Sequence, residues 1–430
     1  MLICSLKIRI SKCPKSPFEN AKNTLLKYHG SVTFAPTMKM KPAEFIALSA
    51  CTMTLTALGI DIMLPVFAEL RDHFNLSPES TATSQIIVFF FMGQIAQIVF
   101  GILSDRFGRI AILRVGFPLY IIGGIVAAFA PSLGVMFAAR FVAGMGASAV
   151  FMATIAGVRD RFVGDQMARV MSLILTIFLF TPILAPFLGI AILSLSSWQM
   201  VFLTPPLFAV IVFIWSLRLE ESLPKEKRNA LNWRSITHSL RKVMSNRTFL
   251  RYTAVTTILF AGLSSYVASS ERIVGEIYGR PDLFPWIFAA IGLLMSLCSL
   301  LNSRLSSRFG ARRTLRWLLI AYTVVASCLL LHAISVGNLP HMITFFLSVA
   351  ALMALNIAVE PNSSALALEP MGDFAGMAAA VYGTFFFFIG SSFGSIISHL
   401  MVNGVFPLVV GFFLIGVLTL LLIFSDHHKN

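Results

Sequence analysis

The chain has 430 residues, 57% of them hydrophobic and only 12% charged, with a mean hydropathy of +0.84. Soluble domains carry about a quarter charged residues, so this composition excludes a water-soluble enzyme and places the chain in the membrane class. The formal charge is +14, from 33 Lys and Arg against 19 Asp and Glu. In a polytopic protein such an excess belongs first to cytoplasmic loops, and nucleic acid is not needed to explain it.

Residues 1–42 form a basic arm, with Lys7, Arg9, Lys12, Lys15, Lys22, Lys27, Lys39 and Lys41 against the single acid Glu19. The arm has no apolar core of signal-peptide length. It reads either as a cytoplasmic segment near anionic lipid or as translation upstream of the true start, since Met38 and Met40 stand just before the first apolar run. Apolar runs then predict twelve spans near 43–68, 81–103, 110–130, 134–158, 168–193, 199–219, 251–273, 284–303, 314–335, 340–362, 376–401 and 405–425. The longest break, 220–250, divides them into an N-terminal half over 43–219 and a C-terminal half over 251–425, with a tail at 426–430.

With the N-terminus inside, Arg71, Arg272 and Arg280 are the only basic residues on the outer side, and Arg140 is the only one well inside a span rather than near its end. This asymmetry sets both termini on the cytoplasmic side. The halves echo each other. DRFGRIAILR at 105–114 and SRFGARRTLR at 307–316 share Arg, Phe, Gly, Leu and Arg at one offset of 202, each in the loop after the second span of its half.

Local chemistry concentrates in GILSDRFGRIAIL at 101–113. Gly101 permits close helix approach and Gly108 a tight turn. Asp105 suits a helix start or an arginine partner, while Arg106 and Arg109 anchor the loop at the inner surface. The spacing resembles the signature loop of the major facilitator superfamily, with Ile110 in place of the usual second basic residue. The resemblance implies an all-α polytopic fold of twelve transmembrane helices in two six-helix halves, and a loop that locks and releases their inner ends.

A second match, RFVAGMGASA at 140–149, sets Arg140 inside the fourth span, where a charge costs about 2.5–3.5 kcal/mol. Gly144 and Gly146 thin that helix. The stretch resembles a superfamily element whose arginine is linked to proton transfer, with Ala143 in place of its glutamine. Asp61, deep in the first span one turn before Pro65, is the complementary charge. The two are expected to form a couple, either a proton carrier tuned by its arginine or a static ion pair.

The Asp61-x-x-Leu64-Pro65 element resembles that of the Bcr/CflA drug:proton antiporters, with Met63 and Ala68 as departures. Gln97, Arg159-Asp160, Ser197-Trp198, Glu221 to Pro224 and Asn302 to Arg304 agree with that branch. In the fifth span Pro182, Pro186 and Gly189 resemble an antiporter motif that bends the helix, though the pattern also fits plain packing punctuation. In the tenth, Pro361-Asn362 fits the branch and Glu360 does not. Glu360 could attract a cation, carry a second proton, or lie solvated at the inner mouth. Gln97, Glu360 and Asn362 are candidate substrate contacts, and Glu271-Arg272 read as interfacial anchors.

The Phe runs at 89–91 and 385–388 and the 19 methionines carry no site assignment. Cys4, Cys13, Cys51, Cys298 and Cys328 have neither disulfide nor metal spacing, and the histidines do not combine into a zinc site. A phosphate-cradling loop is absent from the sequence, so no cofactor is expected. The resemblance implies a monomeric efflux transporter of the bacterial inner membrane. It would exchange protons for drugs or small amphiphilic molecules, with only the bilayer as a further partner. A metabolite uptake symporter or facilitator, and a non-transporting sensor or scaffold, are the alternatives.

Overall fold

A computed structural model describes residues 40–77, 79–162, 164–228 and 233–425; the basic arm up to residue 39, with Cys4 and Cys13, and the tail at 426–430 lie outside the described residues. Twelve helices are long and apolar enough to cross a membrane. In chain order they are α1 (Pro42–His73), α2 (Ala82–Phe107), α3 (Arg109–Ala128), α4 (Leu133–Arg161), α5 (Gly164–Leu195) and α6 (Trp198–Ser216). The second six are α7 (Arg247–Ile277), α8 (Pro281–Phe309), α9 (Ala311–Ser335), α10 (Met342–Gly372), α11 (Ala375–Asn403) and α12 (Phe406–Phe424). Among the described residues there is no strand.

Ile122, Ile211, Leu331 and Ile343 stand exposed on the helix exteriors, the surface a protein presents to hydrocarbon rather than to water. The chain is a multi-pass membrane protein.

Two expected boundaries move. The 220–250 break holds its own helix, Trp233–Ser245, and α7 already begins at Arg247, where the Asn246 side chain accepts the Phe249 N–H at 2.9 Å. Ile236, Leu240 and Val243 fall on one face of that loop helix, and its His238 ring lies 6.3 Å from Phe374. The tenth span runs ten residues past the expected 362. Hydropathy falls at Asn362, Ser363 and Ser364, yet side chains satisfy one another there and the helix continues.

The helix pairings repeat after six elements. Contacts α1–α5, α2–α4, α3–α4 and α3–α6 recur as α7–α11, α8–α10, α9–α10 and α9–α12. Between the halves, α2 packs on α11 and α5 on α8, a reciprocal exchange that a two-fold relation between repeats requires. The repeated loops agree in backbone as well. Gly108 has φ 96° and ψ 165°, and Gly310, 202 residues later, has φ 81° and ψ 150°. Each ends one helix and begins the next in a conformation that side chains avoid.

Small residues draw the helices of the N-terminal half together. A Cβ at Gly144 would collide with the Phe90 carbonyl of α2, and one at Gly146 with the Tyr120 amide of α3. The end of the bundle carrying Asp105 and Arg312 is called the basic end below, and the other the far end.

Candidate functional site

Helix α1 is interrupted where the chemistry lies. Pro65 has no N–H to offer, and α-helical bonding stops at Asp61; residues 62–63 form a turn, Leu64–Val66 a 3₁₀ segment, and the helix resumes over Phe67–His73. Asp61 is 5% exposed, the last residue before the break. Arg140 is 3% exposed. Its Nη2 donates to the Gly59 carbonyl at 2.5 Å, and its guanidinium lies 4.4 Å from the centroid of the Phe90 ring.

The expected Asp61–Arg140 ion pair is therefore not formed here. The arginine instead takes a backbone carbonyl near the end of the ladder and an aromatic face. Among the described residues no charged group pairs with Asp61.

The proline-rich α5 reaches this break. A Cβ at Gly189 would collide with the Ile62 carbonyl, the residue after Asp61, and would lie 3.4 Å from Pro65. Pro186 is buried and Pro182 half-buried. On its other side α5 meets α8 of the second half, with Ile183 and Pro182 beside Gly292 and the Phe187 ring 5.0 Å from Trp286. One helix thus touches both the α1 break and the opposite half.

At the basic end, Arg109 organises the loop after α2. Its Nη1 donates to Asp105 Oδ1 at 2.6 Å and to Ser104 Oγ at 3.0 Å, and its Nε to Asp160 Oδ2 at 2.9 Å. Glu221, just after α6, accepts the backbone N–H groups of Arg109 and Ile110 at 3.0 and 3.2 Å, capping α3 from outside its own sequence. Arg106 is exposed to solvent. Gly101 lies against Ala380 of α11, and an Asp105 carboxylate oxygen sits 3.7 Å from the Cβ position of Gly376. That carboxylate therefore stands at the N-terminus of α11, where unpaired N–H groups favour negative charge.

The far end holds a junction between the halves. Arg71, in the last turn of α1, donates to both oxygens of Glu271 in α7 at 3.0 Å each, and to Glu276 at 2.9 Å. Arg71 and Glu271 are 2% and 7% exposed. Arg272 donates instead to the Met401 and Val402 carbonyls at 2.8 Å, closing the end of α11. Between α2 and α11, Ser395 donates to Gln85 at 2.6 Å. Glu271 and Arg272 are thus structural partners across helices and not the interfacial anchors expected.

The three candidate substrate contacts differ. Gln97 is buried, donates to Gln94 at 3.2 Å and abuts Gly383 of α11, so it packs the seam between halves. Asn362 is also buried; it donates to Asn302 at 2.7 Å and accepts from Ser306, which ties α8 to α10 and leaves little for a ligand. Glu360 alone is less than fully buried, accepting the Tyr382 hydroxyl at 3.2 Å.

The description of the Major Facilitator Superfamily matches residues 49–395. The chain belongs to this superfamily. A bicyclomycin resistance protein homolog of Haemophilus influenzae is 29% identical over 370 residues, covering 85% of this chain and 91% of that one. A multidrug resistance protein, MdtL of Escherichia coli, is 28% identical over 239 residues, 55% of this chain and 60% of that one. Both relatives agree with the Bcr/CflA resemblance read from α1. Among solved structures, a D-xylose-proton symporter superposes with a TM-score of 0.70 at 16% identity, over 88% of this chain and 96% of that one. At that identity the likeness speaks for the fold.

Within this superfamily chain, sequence reasoning missed the Arg71 junction. The available signal was an arginine, one of only three basic residues on that side, near the end of the first helix of one half, with an acidic residue near the end of the first helix of the other.

Proposed function

We propose that this transporter exports drugs or small amphiphilic compounds across the bacterial inner membrane in exchange for protons, working as a monomer with both termini cytoplasmic. The observation that carries the reading is Asp61, a carboxylate without a cation partner among the described residues, set at the break in α1. The next carbonyl along is the surface on which Gly189 of α5 rests.

Proton binding at Asp61 neutralises a group that hydrocarbon disfavours, and release restores the charge. Either event alters the field at the α1 turn, and α5 is placed to pass the change to α8. Arg140, held on the Gly59 carbonyl, sets the local positive potential without cancelling the carboxylate. A membrane potential of 100 mV adds about 2.3 kcal/mol for each charge that crosses. The Asp105 loop holds the cytoplasmic side through α11, and the Arg71–Glu271 junction holds the periplasmic side. No cofactor enters this scheme.

The test is transport in everted vesicles under an imposed proton gradient. Wild type accumulates substrate, and Asp61→Asn does not, while keeping gradient-independent exchange. Undiminished gradient-driven accumulation in the variant removes Asp61 from the mechanism. Flow in the reverse direction assigns uptake rather than export.

A further inference from the structure

The turn between α9 and α10, at the far end of the bundle, brings together two histidines that stand nine positions apart in the chain. His332 lies in the last turn of α9, and His341 immediately precedes α10. Their spacing matches no zinc motif, so the sequence alone leaves them unconnected. The fold sets the two rings 5.6 Å apart between centroids, tilted by 42°.

The turn that carries them is fixed from both sides. Gly337 and Asn338 take positive φ, 82° and 76°, and the Asn338 N–H donates back to the Ala333 carbonyl at 2.7 Å. Few side chains hold that conformation unaided. Tyr278, just past α7, donates its hydroxyl to the Pro340 carbonyl at 2.9 Å. Its ring packs on Phe345 and Phe346 of α10, 5.6 and 5.5 Å between centroids. Two imidazoles on such a frame lose little freedom when a ligand joins them.

The ring nitrogens are unevenly served. His332 Nε2 is shut from water without a hydrogen bond, and no other imidazole nitrogen among the described residues is left so. His341 is exposed. A buried nitrogen in that condition is costly, and a metal ion is among the few groups that satisfy its lone pair. Arg280, the cation of the adjoining α7–α8 segment, is engaged by Asp282 at 3.0 and 3.1 Å and adds little positive field.

Geometry selects the ion. Tetrahedral zinc, with metal–nitrogen bonds of about 2.0–2.1 Å, sets the centres of two bound imidazoles about 5 Å apart. Neighbouring ligands on square-planar copper stand closer, at about 4.5 Å. We propose that His332 and His341 form a two-histidine site for zinc, which clips α9 to α10 across the turn. Among the described residues no third His, Cys, Asp or Glu joins them, so water completes the tetrahedron and the ion exchanges readily. The exposed His341 ring is the side of entry. Metal here tightens the C-terminal half, whichever way cargo moves.

The experiment is zinc titration of the purified, untagged full-length protein, followed by calorimetry and thermal unfolding, with cobalt(II) as the spectroscopic probe. His427→Ala/His428→Ala is the common background, because adjacent histidines in the tail also attract metal. On that background zinc raises the unfolding midpoint, and cobalt gives the visible absorption of a tetrahedral ion. Losing a ligand costs no less than losing its outer-shell support, so His332→Ala and His341→Gln each weaken binding at least about tenfold. Each also abolishes the zinc-dependent rise. His341→Gln, at an exposed position, keeps the metal-free midpoint of its parent, which separates lost ligation from lost folding. The proposal is overturned if the background binds no zinc, if either histidine variant binds it as the background does, or if cobalt bound there gives an octahedral spectrum.

Discussion

Arg71 in α1 and Glu271 in α7 form a two-pronged ion pair, both contacts 3.0 Å, that joins the two halves of the bundle at its far end. Each residue lies near the far end of the first helix of its half. Truncating Arg71 leaves Glu271 charged, buried and unpaired, which costs about 3–5 kcal/mol. Arg71→Ala is therefore expected to lower the thermal unfolding midpoint more than the double variant Arg71→Ala/Glu271→Gln does. Thermal unfolding in detergent checks this; a double variant at least as unstable as the single one argues against the pair. The milder double variant should also show faster labelling of the far end of the bundle by a membrane-impermeant reagent.

Asp61 gives a prediction of opposite sign. A carboxylate in an ion pair stabilises a fold, and neutralising it destabilises. Arg140 here engages the Gly59 carbonyl and the Phe90 ring instead. Asp61→Asn should thus leave the unfolding midpoint unchanged or raise it, whatever it does to the proposed proton coupling. Arg140→Ala, which strips a backbone carbonyl and an aromatic face of their cation, should lower it. A marked drop for Asp61→Asn would restore the salt bridge that charge counting suggests.

Arg109 serves Asp105, Ser104 and Asp160 at once through a planar fork. Its removal frees two carboxylates, of which the Asp160 side chain is 18% exposed and that of Asp105 43%. A loss of about 2–3 kcal/mol follows, most of it from Asp160, because exposed charges are screened. Arg109→Lys should recover less than half of this, since an ammonium cannot span both acids. Unfolding midpoints of the two variants, measured side by side, give the comparison.

The spans were legible because each one shows as an apolar run, and the loop after α2 because its Asp105–Arg109 pair is only four residues apart. Ends were less so. Asn362 breaks the hydropathy of α10, yet its partners Asn302 and Ser306 lie on another helix, out of reach of any local pattern. The same holds for Arg140, whose acceptor is a main-chain oxygen that every residue possesses. Arg71 and Glu271 stand 200 positions apart, and only the repeat brings them into register.

The repeat itself offers the cleanest separation of backbone strain from crowding. Gly108 and Gly310 share a positive φ with extended ψ, so an alanine at either pays a similar conformational cost of about 1–3 kcal/mol. Their surroundings differ. A Cβ at Gly310 meets nothing within 4 Å, whereas one at Gly108 would run into the Glu221 carboxylate that caps α3. Gly108→Ala should consequently be the more damaging by about 1–2 kcal/mol, through loss of the cap. It should also free the first turn of α3, seen as faster hydrogen exchange at the Arg109 and Ile110 amides. Gly310→Ala should show the strain alone. Equal destabilisation by the two substitutions would mean that Glu221 does not hold α3, and that the basic-end loop is set by its glycine turn without help from the central segment.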